Sequence, residues 1–157
     1  MENTAIQRAL ISGATSSILS TVAMSMVGKL QTGSAYAPTN AVSHYIHGKE
    51  AGYRDRFSFR YTVPGYLIHH ASATFWSLVF ERVMGDVLDG RNPARIAAAS
   101  AVTSVFAAFT DYKLTPRSLH PGYEMRLSRR ALGVVYAGFA IGLAIGAIVA
   151  RQREAPR

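Results

Sequence analysis

Charged residues along this chain leave four long gaps. None falls from Ala9 to Gly28, from Tyr61 to Phe80, from Ile96 to Thr110 or from Ala131 to Ala150, and three of these gaps are 20 residues long. A helix rises about 1.5 Å per residue, so roughly 20 residues cross a hydrocarbon layer about 30 Å thick. The pattern predicts helices over about 6–28, 62–83, 93–111 and 129–150. The third gap is the shortest at 15 residues, with Pro93, Ala94 and Tyr112 extending it. The fourth, ALGVVYAGFAIGLAIGAIVA, has no polar face to offer water, which argues against a soluble helical bundle. AYA at 35–37 gives the first run the outline of a cleaved leader, but the run is too long and too rich in Ser and Thr for one. The expected fold is therefore all-α, a single membrane domain over 1–157 built as a transmembrane four-helix bundle.

Composition sharpens this reading. The chain is 49% hydrophobic yet carries net charge +8, and its basic residues border the apolar runs, as in RLSRR before the fourth and RQR after it. They are read as contacts to anionic lipid headgroups, not to nucleic acid. No cysteine is present, which removes disulfides, thiolate chemistry and Fe–S clusters.

Four crossings put the N-terminus, the 81–95 loop and the C-terminus on one side, A, and the 29–60 and 111–130 loops on the other, B. Side B has ten Lys and Arg against seven on the much shorter side A, so the positive-inside rule leaves the orientation open. Helices in lipid associate through small residues that let backbones approach. The first run offers Ala5, Ala9, Gly13, Ser17, Thr21 and Ser25 at a spacing of four, and the fourth offers Gly138, Gly142 and Gly146. These stripes suit packing within the chain; the sharper reading makes the last one a homodimer face.

Two adjacent histidines, His69 and His70, point about 100° apart on a helix. His69 shares its stripe with Ala73, Trp76 and Phe80, which reads as an aromatic face toward the interface or a neighbour. His70 shares its stripe with Thr74, Ser77 and Glu81, and an isolated polar stripe should turn inward. On the third helix Ser100, Ser104 and Asp111 fall on one stripe, so the expectation is a seam between the second and third helices, with His70 paired to Asp111 on side B. The bland version is a structural imidazole satisfied by a carboxylate or carbonyl.

Both side B loops are unusual. In APTNAVSHYIHGKEAG, Asn40, His44 and His47 share one face while Ala41, Val42, Tyr45 and Ile46 share the other, predicting a short interfacial helix. YRDRFSFRY then alternates Arg with aromatics, as a headgroup-level segment would. DYKLTPRSLHPGYE fixes turns with Pro116, Pro121 and Gly122 and adds His120 and Glu124.

The stretches PTNAVSHYIHG, GYLIHHASATFW and DYKLTPRSLHPGYE resemble those of a group of small bacterial four-span integral membrane proteins with no established activity. The resemblance covers most of the chain from about Pro38 onward. It implies a multi-pass location in the bacterial inner membrane and carries over no functional residues.

Three function classes follow. His44 and His47 at i, i+3 with His70 and Asp111 make a His/carboxylate set suited to zinc or iron, although five histidines are too few for di-iron boxes and only one helix offers imidazoles for haem. An interior line of His70, Glu81 and Asp111 suits an oligomeric transporter or proton-linked channel. The largest share goes to an accessory or interaction module with an ordered His-rich side B face, a membrane protein partner and no cofactor. No nucleophile with a base, phosphate loop or nucleotide fingerprint points to an enzyme.

Overall fold

Two of the long helices begin on side-chain caps. The Asn92 side chain accepts from the Arg95 amide at 3.1 Å with Pro93 in the first turn, and Ser128 accepts from the Ala131 amide. The structure, a computed structural model, describes residues 2–154. Its α-helices are α1 (Glu2–Thr32), α2 (Ala37–Val42), α3 (His44–His47), α4 (Thr62–Val83), α5 (Gly85–Asp89), α6 (Pro93–Phe109) and α7 (Arg129–Arg153). No strand occurs among the described residues. A π-helical turn, Thr110–Leu114, prolongs α6 and closes with Thr115 N–H donating to Thr110 O at 2.9 Å.

Three helical stretches are long and apolar enough to cross a membrane: Thr4–Thr32, Pro93–Leu114 and Arg129–Arg153. α4 has the length, at 22 residues, but not the apolarity, because its two histidines dilute it.

Neighbouring helices run antiparallel. Ser12 of α1 meets Glu81 near the end of α4, while Ser20 meets His69 near its start. Along α7, Gly146 lies against Ser12, Gly142 against Ser16 and Gly138 against Leu19 and Ala23. The Ser104 hydroxyl of α6 donates to the Tyr136 carbonyl of α7 at 2.7 Å. α1 is thus the hub, packing most extensively on α7 and then on α4, and α6 leans on α7.

Two expectations fall here. The polar seam between the second and third helices is absent: α4 and α6 meet through apolar groups such as Trp76 and Phe106, Glu81 is bonded to Ser12 of α1 and Ser104 to Tyr136 of α7, and the Ser77 and Ser100 hydroxyls donate to carbonyls of their own helices. The glycine stripe of α7 is no free homodimer face either. A Cβ at Gly142 would overlap the backbone of Ser16, and one at Gly146 the backbone of Ser12. Gly13 packs on Thr74, and Ser17 is wholly buried, so α1 uses one small face for α4 and another for α7.

Along α1 the buried face is more polar than the exposed one. In α1, Ser12, Ser16, Ser17 and Ser20 are all 0% exposed, while Leu10, Ile18, Val22 and Met26 on the opposite face are at least half exposed. Val102, Val105, Phe106 and Phe109 of α6, and Val134 and Ile141 of α7, also face outward. Water would penalise that arrangement, whereas a lipid solvent favours it.

The predicted interfacial helix is broken in two: its first half is buried, while Tyr45 and Ile46 in its second half stay exposed. α2 stops at Ser43, and all six of its residues are inaccessible. Pro38 packs on Gly28, and Gly65 of α4 lies so close to the Thr39 carbonyl that only a glycine fits. Asn40 explains why a polar residue enters: its amide nitrogen donates to the Arg54 and Arg56 carbonyls at 2.9 and 3.0 Å, and its oxygen accepts from Thr62 Oγ1 at 2.6 Å. Replacing Asn40 with Leu strands three polar partners, so we expect about 2–3 kcal/mol of destabilisation, read as a lowered melting temperature in detergent.

In the alternating segment after α3, arginines and rings meet within the chain. Arg54 and Arg60 lie over the Tyr61 ring at 5.2 and 5.3 Å, and both pair with Glu50. The hydrogen bond from Tyr61, then Arg54 and Arg60, holds the Glu50 carboxyl below its ordinary value.

Candidate functional site

Beneath the side B loops, α4, α7 and the π-helical turn diverge around a cavity of about 290 Å³. α4 contributes His69, Ser72 and Trp76, the turn contributes Asp111, and α7 contributes Tyr136 and Phe139. Tyr45, Leu119, Pro121 and Tyr123 form its loop wall.

Hydrogen bonds fix the polar lining. Tyr123 OH donates to Tyr136 OH at 3.0 Å, and Tyr136 OH donates to Asp111 Oδ2 at 2.5 Å, so both hydroxyl protons point along one line toward the carboxylate. The Ser20 hydroxyl donates to the Ser16 carbonyl at 2.6 Å. Having one proton, Ser20 accepts at its 2.8 Å contact with His69, so Nε2 carries the imidazole hydrogen and Nδ1 the lone pair. Tyr45 OH reaches the Leu119 and His120 carbonyls at 2.8 Å; desolvation, with Asp111 and Glu124 nearby, pushes its phenol up to about 12.

The imidazole that shares this cavity with Asp111 is therefore His69, and the expected His70–Asp111 pair is corrected. His70 stacks on Tyr66 at 5.9 Å, and its Nδ1 is buried without a hydrogen-bond partner. The interior stripe of α4 includes Gly65, His69, Ala73, Trp76 and Phe80; Trp76 and Phe80 are core residues rather than an outward aromatic face. Thr74 is half-buried against Gly13, its hydroxyl donating to the His70 carbonyl.

The remaining histidines hold loops. His44 Nδ1 lies 3.0 Å from the Ala41 carbonyl, His47 packs edge-on against Tyr61, and His120 sits between the Thr115 carbonyl and Glu124 Oε1. Glu124 also accepts from the Gly122 amide at 2.8 Å. The proposed ligand set of His44, His47, His70 and Asp111 is thus dispersed, and no group of three or more His, Asp or Glu converges among the described residues.

At side A the structure holds a charged cluster that the sequence pattern hid. Arg151, expected to reach headgroups, is 2% exposed and donates to Glu81 at 3.0 Å and Asp89 at 2.9 Å. Ser12 donates to the same Glu81 carboxylate, and Arg8 bridges Asp89 and Glu154. That hydrogen bond from Arg8 holds the Glu154 carboxyl below its ordinary value.

No protein-family model, curated protein or solved structure matches the chain. The site must be read from its own geometry. Tyr136, Tyr123 and Ser20 were missed because their partners lie in distant segments. The signal for His69 was present: Gly65, four residues earlier, marks the closely packed stripe.

Proposed function

We propose that this chain is a four-span accessory protein of the bacterial inner membrane that receives a small ligand in the side B cavity. The observation that carries this reading is the cavity itself, where His69, Asp111 and Tyr136 converge on an aromatic chamber. Ligand sites have this character: apolar walls with a few placed polar groups.

Chain direction supports the fourth crossing. α1 ends at side B and α6 begins at side A beside Asp89, so the chain must return between them, and α4 is the only long helix there. His69 is tolerated there because its ring is bonded to Ser20. Lys113, Arg117 and Arg129 border a groove between α6 and α7 and supply cations at headgroup height. A relay reading has less support: Ser16 and Ser20 donate to backbone carbonyls, so among the described residues no chain of hydroxyls joins Glu81 to His69.

Trp76, the chain's only tryptophan, lines the cavity and reports on it. Neutral 2-phenylethanol should change Trp76 emission saturably in the purified protein, and Ser72→Phe, which sets a bulky ring at the exposed edge of the cavity, should weaken that response at least five-fold. A strictly linear response, unchanged in the variant, would contradict a ligand site.

A further inference from the structure

The cavity's charge is at odds with that of the chain. Lys and Arg total 17 against 9 Asp and Glu, yet no Lys or Arg lines the cavity, and Asp111 is its one carboxylate. The lining also favours acceptors. Asp111 Oδ2 is held by Tyr136, and among the described residues Oδ1 has no hydrogen-bond donor. The His69 ring presents its lone pair at Nδ1, because Nε2–H is engaged by Ser20. Around these acceptors stand the rings of Trp76, Tyr123, Tyr136 and Phe139.

A carboxylate in a chamber of aromatic faces is the chemistry that recognises an organic ammonium ion. The ring quadrupoles attract the cation, the carboxylate neutralises it, and the low dielectric strengthens both. An anionic ligand would meet Asp111 with no counter-charge, and a neutral one would leave the carboxylate desolvated without a partner. Resting on the ligand-site reading above, we infer that the side B cavity is a binding site for a small organic amine in its protonated form, with Asp111 as counter-ion and the Trp76 and tyrosine faces as its walls. Tyr136 is a positioning residue here: its hydroxyl holds the carboxylate while Tyr123 orients that hydroxyl.

Three probes of nearly equal size and different charge test this at neutral pH on the full chain in uncharged detergent: phenethylammonium, 2-phenylethanol and phenylacetate, each followed by Trp76 emission. Phenethylammonium should bind at least about ten-fold more tightly than the alcohol, and phenylacetate more weakly than both. In Asp111→Asn the preference for the ammonium over the alcohol should fall to within about two-fold, and the melting temperature in detergent reports that the variant is folded. If wild type binds the alcohol and the ammonium equally, the amine assignment is overturned while the ligand-site reading stands. If the alcohol also fails, both are overturned. Should the variant not fold, the three-probe ranking in wild type decides alone.

Discussion

Gly142→Leu is expected to prevent stable folding. The position faces the Ser16 backbone with no room for a Cβ, so an isobutyl group must drive α7 away from α1, the most extensive helix contact in the molecule. Overpacking typically costs about 1–3 kcal/mol, and separating the hub helices should exceed that range. The internal control is Gly133→Leu, on the same helix, where an added Cβ meets nothing within 4 Å. The measurement is the monodisperse yield and melting temperature of both variants in detergent, with Gly133→Leu indistinguishable from wild type. Equal behaviour of the two would mean that α7 does not pack on α1 through its glycines.

The second large effect belongs to the buried ion pair at side A. Glu81→Gln leaves Arg151 with its charge buried and only the 55% exposed Asp89 carboxylate opposite it, and removing one member of such a pair costs about 3–5 kcal/mol. Arg151→Met has the reverse defect, stranding Glu81 against Ser12 alone. The double variant, having no uncompensated charge at this point, should recover a large part of the loss. Thermal unfolding of the four proteins in a double-mutant cycle measures the coupling. A double variant as unstable as the sum of the singles would show that the two residues do not interact.

The sequence revealed the helices far better than their faces. Gaps between charges place helix ends because a charge inside hydrocarbon is expensive, so α4 at 62–83 was legible to the residue. The gathering of histidines on side B follows from the same gaps. What stayed hidden depends on partners far along the chain. Arg151 reads as one more basic residue after an apolar run until Glu81, 70 residues earlier, arrives beside it. His69 and His70 differ by one helical step, and polarity pointed to the wrong one; the close approach of Gly65 to α2 sets the rotation of α4. α2 resembled a surface helix because its polar residue Asn40 finds its partners in the returning loop.

The account rests on a chain that crosses lipid four times and closes its cavity with two loops from the same side. Because the sequence has no cysteine, single cysteines report location without background. Lys49→Cys and Arg117→Cys place probes in the two side B loops, and Arg91→Cys places one in the short connection before α6. Labelled in intact cells and then in opened membranes with an impermeant maleimide, Lys49→Cys and Arg117→Cys should react from the same side and Arg91→Cys from the other. Reaction of the 49 and 117 positions from opposite sides would contradict the fold in the membrane, the shared roof over His69 and Asp111, and the ligand site built upon them.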